Sequence, residues 1–215
     1  MLLLLYFLLL IIQSYQLEPS KVIIIYFSRP GENHDVGIVE IGNTKMMVSY
    51  IKELYDLEDF EIIPETPYPK LYNDTVEIAR QQKNSGARPP LLHNLTDISN
   101  YDIILLGYPI WFQHLPNIVM TQLEILKTQF KGKIIYPFVT HEGSKLGLSI
   151  DDIKLLAPDA IVKDGFPLRG TEARNETSHE SIKNWLNQIF VANPLKSSYI
   201  KSSMFVLLLM ILIIL

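Results

Sequence analysis

Short apolar runs alternate with segments of helical periodicity along most of this chain. Continuous apolar runs of strand length, typical of strands buried on both faces, occur at residues 21–27, 60–63, 102–107, 133–139 and 160–162. Apolar side chains recur at helical spacing in residues 44–57, 74–82, 119–130, 144–156 and 179–191. Strands that alternate with helices in this way predict an α/β fold, a parallel sheet with helices on both faces.

The predicted domain spans residues 21–191, and the two flanking segments differ from it in composition. Residues 1–17 begin with a short, almost wholly apolar run and are typical of a signal peptide, with a retained amino-terminal anchor as the alternative. A polar spacer at 192–203 precedes a hydrophobic tail at 204–215, the pattern of a GPI signal or a short membrane anchor. We therefore expect a membrane-attached protein of the secretory pathway, at the cell surface or in a lumen.

Composition and short motifs narrow the function classes further. The net charge of −4 and the lack of a basic block give little support for nucleic-acid binding. Cysteine is absent and the five histidines are scattered, which excludes thiolate metal sites and iron–sulfur clusters and predicts no other metal site. Three sequons predict glycosylation at Asn73, Asn94 and Asn175.

Three loops follow strands of the predicted sheet, and ligands bind at that edge of open parallel sheets. The first loop begins at Ser28 and ends at Gly42, Asn43 and Thr44, where the next helix begins. Either Asn43 or Thr44 is expected to cap that helix. Hydroxyl groups and free backbone N–H groups at a helix start form a site for an anion such as phosphate.

The second loop follows the most apolar strand of the chain. Pro109 and Ile110 lead from this strand to Trp111. A tryptophan at this position either stacks on a planar heterocycle or folds back into the core. The loop therefore predicts a wall for a flat ligand, with core packing as the alternative.

The third loop, at residues 140–147, combines polar side chains with glycines. Thr140, His141 and Ser144 offer polar contacts, while Gly143 and Gly147 let the backbone approach a ligand closely. His141 serves either as a ligand contact or as a catalytic acid. We favour the contact, because the sequence identifies no charged partner for the ring.

Together these segments resemble the flavodoxin family over residues 21–191. The matching segments are VIIIYFS at 22–28, GNT at 42–44, PYP at 67–69, RP at 88–89, YDIILLGYPIW at 101–111, PFVTHEGS at 137–144, LG at 146–147, DIKLLAP at 152–158 and the stretch 165–170. Their combination is far more specific than any single segment.

The resemblance implies a five-stranded parallel sheet in the order 2-1-3-4-5, with the cofactor FMN at its carboxyl edge. The first loop, including Ser28, would bind the FMN phosphate, residues 109–111 would flank the isoalloxazine ring, and residues 140–147 its pyrimidine side. The implied function is electron transfer to a protein partner, or NAD(P)H-linked reduction of a small acceptor such as a quinone. The flavin carries the chemistry, so we assign no catalytic residue.

Two departures from the family pattern bear on this interpretation. Residues 29–41 make the first loop unusually long. Two outcomes are open: Arg29 or Glu32 joins the site, or the whole segment covers it. Phe112, Gln113 and His114 follow the tryptophan where the family often has a glycine, which weakens the case for an electron carrier. The alternative function is a membrane-attached luminal or surface binding protein that kept the fold and lost the cofactor.

Overall fold

A computed structural model describes residues 21–193 of the chain. The predicted signal peptide, the hydrophobic tail and all but the first two residues of the predicted spacer lie outside the described residues. Within residues 21–193, no helix is both long enough and apolar enough to cross a membrane.

The central sheet is parallel, and its strand order agrees with the prediction. The described strands are β1 (Val22–Tyr26), β2 (Gly31–Asn33), β3 (Gly37–Val39), β4 (Glu58–Glu61), β5 (Ile103–Pro109), β6 (Ile134–His141), β7 (Ile161–Val162) and β8 (Phe166–Arg169). The sheet runs β4-β1-β5-β6-β7, which is the order 2-1-3-4-5. Both β7 and β8 pair with β6, at its beginning and at its end, so the fifth strand position is filled by two short pieces.

Helices cover both faces of this sheet, as predicted. They are α1 (Asn43–Leu54), α2 (Tyr72–Ser85), α3 (Asn117–Ile125), α4 (Ser149–Leu156) and α5 (Thr177–Ala192). Alternate residues of β1 point to opposite faces: Ile23 and Ile25 pack with the apolar side chains of α3 and α4, and Ile24 packs with those of α1 and α5. Because each face of the sheet packs against its own hydrophobic core, every residue of such a strand is apolar.

The structure differs from the sequence prediction mainly in its short elements. The prediction missed the antiparallel β2–β3 hairpin and β8, because their runs of three or four residues show no clear periodicity. Helix α4 begins at Ser149 rather than at residue 144, since Lys145 and Gly147 both have a φ of 51° and break the helical path. Helix α3 ends at Ile125, and a 3₁₀ turn at Lys127–Gln129 follows it.

Candidate functional site

One cavity of about 320 Å³ opens at the carboxyl ends of β1, β5 and β6. Nine of the thirteen residues predicted to bind a cofactor line it, namely Ser28, Arg29, Asn43, Thr44, Pro109, Ile110, Trp111, Thr140 and His141. Gly42, Gly143, Ser144 and Gly147 lie outside its lining. Three loops that are far apart in the sequence therefore meet here because the ends of neighbouring parallel strands meet at one edge.

Ser28 and Gly42 shape the beginning of α1. Gly42 is the N-cap residue, and the Ser28 hydroxyl accepts a hydrogen bond of 3.0 Å from the Lys45 N–H. The expectation that Asn43 or Thr44 caps the helix is therefore wrong, because both are already helical. Their own N–H groups are left without partners inside the helix, which makes this helix start a site suited to an anion.

A close approach of backbone and side chain explains the glycine at position 42. A Cβ atom on Gly42 would lie 2.3 Å from the Ser28 Oγ and 2.6 Å from the Arg29 carbonyl oxygen. Its φ of −66° is open to any residue, so space and not backbone conformation requires glycine. Gly42 thus shapes the cavity wall without lining it.

Two polar side chains of α1 are oriented by their neighbours. The Thr44 hydroxyl lies 2.9 Å from the Thr140 hydroxyl and joins α1 to the end of β6. The Asn43 Oδ1 accepts a hydrogen bond of 3.2 Å from Arg174, which also donates to the Ile41 carbonyl. Because its oxygen is engaged, Asn43 has its NH₂ group left to donate to a ligand.

Residues 29–41 form a hairpin that closes one side of the cavity. The Arg29 guanidinium donates to backbone carbonyls, among them those of Glu32 and Pro69. The Glu32 carboxylate accepts the Tyr72 N–H at 2.8 Å, at the beginning of α2. The side chain of Arg29 lines the cavity, and its hydrogen bonds hold the hairpin to the segment just before α2, while Glu32 holds it to α2 itself.

Trp111 both lines the cavity and packs on the core. Its ring meets Phe27 and Tyr68 edge to face, with centroid distances of 5.5 Å and 5.0 Å. The Tyr68 hydroxyl donates to Gln82 at 2.8 Å, and burial raises the pKa of Tyr68 to about 12. The buried ring of Phe27 and the half-buried, uncharged ring of Tyr68 therefore hold the tryptophan in place beside the cavity.

The four residues that begin at Trp111 form a tight turn in a conformation that is unusual without glycine. Trp111 and His114 exchange backbone hydrogen bonds of 3.1 Å and 2.9 Å. The two central residues, Phe112 and Gln113, have φ values of 50° and 72°, as in a type I′ turn. The Gln113 carbonyl accepts the Leu148 N–H at 2.6 Å, so the N-cap residue of α4 fixes the turn.

Helix α2 supplies a wall of the cavity that the sequence did not predict. Thr75, Val76 and Ala79 line it from the middle of α2. Arg80 and Lys83 of the same helix lie 5.6 Å and 5.7 Å from the centre of the Phe112 ring. Helix α2 therefore faces the turn, and the segment between β4 and β5 becomes part of the site.

His141 lines the cavity at the end of β6. Its Nδ1 accepts a hydrogen bond of 2.9 Å from the Gly143 N–H, so the neutral ring carries its proton on Nε2. Burial, helped by the nearby Arg169 charge, lowers the pKa of His141. At neutral pH the ring is thus an uncharged donor at the edge of the cavity.

Sequence reasoning missed several lining residues. They are Asn33, His34, Tyr72, Thr75, Val76, Ala79, Phe112 and Glu142. Glu142 and Phe112 lie within or directly beside a segment already assigned to the site, and Asn33 and His34 lie within the long first loop, so these four carried a positional signal. The others lie on α2, whose position over the strand ends no local pattern encodes.

The lining divides by composition into two parts. The ends of β1 and β6, the start of α1 and the hairpin contribute mostly hydroxyl, amide, imidazole and carboxyl groups, whereas α2 and residues 109–112 contribute mostly apolar groups and Trp111. A ligand that combines an anionic, hydroxyl-rich part with a flat apolar part matches both.

Comparisons with known proteins agree with the fold. A family model described as flavodoxin matches residues 21–189. A crystal structure of a protein from Bacteroides eggerthii, assigned as a flavoprotein, is 28% identical with a TM-score of 0.62, over 79% of this chain and 98% of that chain. Among curated proteins, no match is found.

A second solved structure resembles the chain in fold. A flavoprotein from Lactobacillus acidophilus, solved in complex with FMN, is 23% identical with a TM-score of 0.55. The match covers 76% of this chain and 99% of that chain. The described domain thus corresponds to nearly the full length of both solved proteins.

Proposed function

Since this chain belongs to the flavodoxin family, we propose that its cavity binds FMN and that the protein is an FMN-dependent oxidoreductase acting on a small acceptor such as a quinone. The observation that carries the proposal is the cavity itself, in which an anion site and an aromatic wall occur together. FMN combines a phosphate and a hydroxylated chain with a flat ring, and it supplies the electron-transferring group when bound.

The polar part of the cavity fits the phosphate. The N–H groups of Asn43 and Thr44 point out of the start of α1, and the Asn43 NH₂ group adds a donor. Such a site binds phosphate through backbone dipoles and needs neither a metal nor a lysine. The space that Gly42 leaves empty lets Ser28 and α1 lie close enough to form this cradle.

The apolar part of the cavity fits the ring. Trp111 is oriented by two core aromatics, while Val76 and Ala79 of α2 also line this part of the cavity. A flat heterocycle between them would be shielded from water and would gain contact on its aromatic faces. His141 carries an N–H that can bind a ring oxygen or nitrogen.

The turn after Trp111 favours two-electron reduction over electron carriage. A backbone peptide that reorients with the redox state of the flavin ring needs a flexible turn. Here the two central residues, Phe112 and Gln113, already have positive φ values, and neither is glycine. The Gln113 carbonyl is engaged by Leu148, and the Phe112 carbonyl lies 3.4 Å from the Lys83 ammonium. The residues of this turn therefore hold one fixed backbone geometry toward the ligand.

Trp111 provides a direct test of FMN binding. The chain has two tryptophans, and Trp185 stacks on Phe166 at 5.2 Å without lining the cavity. In a Trp185→Phe variant of the full chain, we expect added FMN to quench most of the remaining tryptophan emission. In the matched Trp111→Phe variant, quenching should be much weaker. A visible spectrum without flavin bands after incubation with FMN would contradict the proposal and favour a binding protein that lost the cofactor.

The redox role requires a second measurement. With FMN bound, we expect NADH or NADPH oxidation that accelerates when a soluble quinone is added. Reduction that proceeds only with a protein partner would instead identify an electron carrier. The same assay with Trp111→Phe separates catalysis in this cavity from reduction by free FMN.

We also propose that the protein is membrane-attached in the secretory pathway. The support is the apolar tail at 204–215 and the three sequons, whose asparagines, Asn73, Asn94 and Asn175, are all exposed. We expect an N-glycosidase to increase gel mobility of the protein from its host, and a phosphatidylinositol-specific phospholipase to release it from membranes. A protein unaffected by both enzymes would contradict glycosylation and the GPI anchor.

A further inference from the structure

A second cavity adjoins the first one at the turn that begins at Trp111. It has a volume of about 260 Å³, and the buried residues Leu115, Pro116 and Asn117, where α3 begins, lie in its lining. This volume lies just below the range of about 300–1,000 Å³ that is usual for a whole ligand. The cavity is therefore suited to one part of a larger molecule.

The two cavities share one wall. Ala79 of α2 and the aromatic residues Trp111 and Phe112 line both of them. Two cations of α2 lie over the Phe112 ring: Lys83 at 5.7 Å from its centre, and Arg80, paired with a glutamate one turn earlier, at 5.6 Å. A molecule that extends through both cavities would pass these cations, so the segment that joins its two ends is expected to be anionic.

Lys83 is the cation that is free to bind such a segment. It lines the second cavity, donates to a backbone carbonyl of the turn at 3.4 Å, and pairs with no carboxylate of the described residues. The other cation in the lining, Arg88, is paired with Glu124 at 2.8 Å. The Asp152 carboxylate lies outside the lining and is hydrogen-bonded to His114 at 3.0 Å. Because an ammonium has three N–H donors, Lys83 has donors left for phosphate oxygens.

Asn117 offers a hydrogen-bond acceptor in the same cavity. The residue is only 7% exposed, and its NH₂ group donates to the carbonyls of Gln82 and Ala87 at 3.0 Å and 2.7 Å. Its Oδ1 accepts no hydrogen bond within residues 21–193, yet it is not among the fully buried unpartnered atoms there. This oxygen therefore keeps surface toward the open space that Asn117 lines, where the amino group of a heterocycle can donate to it.

We propose that the second cavity binds the ADP half of a nicotinamide dinucleotide, with the pyrophosphate at Lys83 and the nicotinamide ring reaching the first cavity. The inference rests on the proposed function, in which this dinucleotide is the electron donor. The adenine lies against the apolar lining of Leu115, Pro116 and Met120, and its amino group donates to the Asn117 Oδ1.

A quinone acceptor matches the second cavity less completely. It carries no anionic group for Lys83. A small ring confined to this cavity would also be separated from the first cavity by Trp111 and Phe112, which form the shared wall. A dinucleotide avoids this separation, because only its nicotinamide end has to cross the wall.

The experiment measures ADP binding to the full chain loaded with FMN, by isothermal titration calorimetry. ADP lacks the nicotinamide ring, so it should bind while the visible spectrum shows that FMN is retained. Inosine diphosphate has a carbonyl oxygen where adenine has its amino group, so it would place a second acceptor against the Asn117 Oδ1. We expect it to bind about tenfold more weakly than ADP.

Lys83→Gln tests the pyrophosphate contact, and Lys131→Gln is its matched control. Lys131 is exposed, precedes β6 at the amino edge of the sheet and lines neither cavity. Lys83→Gln should weaken ADP binding about threefold to tenfold and adenosine binding much less, since adenosine has no phosphate. Lys131→Gln should change neither. ADP affinity should also decline more steeply with salt in the wild type than in Lys83→Gln.

A competition assay gives a second readout on the wild type. ADP should inhibit NADH oxidation competitively. It should not inhibit oxidation of N-methyl-dihydronicotinamide, which carries the reacting ring without an ADP half. Inhibition of both reductants would mean that ADP blocks the first cavity, and it would contradict the inference.

Other outcomes would also overturn the inference. ADP that gives no binding heat while FMN stays bound would overturn it and leave the proposed function intact, and heat from a soluble quinone in its place would assign the cavity to the acceptor. Equal losses in Lys83→Gln and Lys131→Gln would show that ADP responds only to overall charge. ADP that displaces FMN would place it in the first cavity. A chain that binds no FMN would contradict the proposed function itself, and the inference with it.

Discussion

The two parts of the cavity reach a close-packed shape in opposite ways. Around the start of α1, glycine removes side chains: Gly42 and Gly170 leave space that Ser28, Asn43 and Glu142 occupy. After Trp111 the chain keeps full side chains, and Phe112 and Gln113 adopt positive φ values instead. One part is shaped by missing atoms and the other by a strained backbone.

This difference separates two kinds of energetic cost. A glycine with ordinary φ costs stability only through the greater freedom of the unfolded chain. A non-glycine residue in the left-handed region costs about 1 kcal/mol in the folded state, and surrounding contacts must hold it there. The contacts at the turn are the Trp111–His114 bridge and the Gln113–Leu148 hydrogen bond, so the apolar part depends on its neighbours more than the polar part does.

Removal of the Trp111 ring should produce the largest effect. Trp111→Ala deletes the edge-to-face contacts with Phe27 and Tyr68 and one aromatic wall of the cavity. Since the ring is half-buried, we expect the free energy of unfolding to fall by about 2 kcal/mol. FMN affinity should fall roughly 10- to 100-fold, the range for loss of one stacked aromatic. Chemical denaturation and fluorescence titration measure the two effects.

Trp185→Ala is the matched control for that prediction. It removes the ring that stacks on Phe166, outside the cavity lining, so it should lower stability without lowering FMN affinity in the folded protein. Equal losses of affinity in the two variants would mean that Trp111 acts through general stability rather than as a wall of the site.

Filling the space at Gly42 should have the next largest effect. Gly42→Ala pushes a methyl group against the Ser28 hydroxyl and the Arg29 carbonyl, and overpacking of this kind costs about 1–3 kcal/mol. Because the cradle for the phosphate opens, FMN affinity should fall about tenfold while riboflavin affinity changes little. Parallel titrations with the two flavins measure this selectivity.

Gly132→Ala is the control for Gly42→Ala, because the two glycines differ in the opposite sense: Gly42 has an ordinary φ and close neighbours, whereas Gly132 has a positive φ and open space. Gly132 has a φ of 77° with nothing near its missing side chain. Its replacement should cost about 1 kcal/mol of stability and leave both flavin affinities unchanged. A selective loss of FMN affinity in this control would contradict the link between the Gly42 space and the phosphate site.

The same contrast explains which features the sequence predicted. The three loops were predictable, since β1, β5 and β6 are continuous apolar runs whose ends meet at one edge of a parallel sheet. The strand order followed from the resemblance to the flavodoxin family and not from the apolar pattern. Trp111 and Asn43 could be placed in the cavity because each directly follows or begins an element with a strong pattern.

Other parts of the site could not be predicted from local patterns. The position of α2 over the cavity depends on Arg29 and Glu32, whose hydrogen bonds reach residues about 40 positions away. The predicted helix cap was also wrong, because the side chain that accepts a hydrogen bond from the first turn of α1 is Ser28, which follows β1, and not a residue at the helix start. Long-range polar contacts of this kind leave no periodic signal in the sequence.

The smallest expected effect addresses the strain in the turn directly. Gln113 is exposed and has a φ of 72°, so Gln113→Gly removes the left-handed penalty at the loss of few side-chain contacts. The relief of about 1 kcal/mol is partly offset by the greater freedom of glycine in the unfolded chain. We expect a net gain of about 0.5 kcal/mol, seen as a rise in Tm of about 1–2 °C. Gln113→Ala retains a Cβ and should show no gain. An equal rise in both variants would mean that the glutamine side chain, rather than the backbone, is the source of the strain, and the contrast between the two parts of the cavity would then lose its basis.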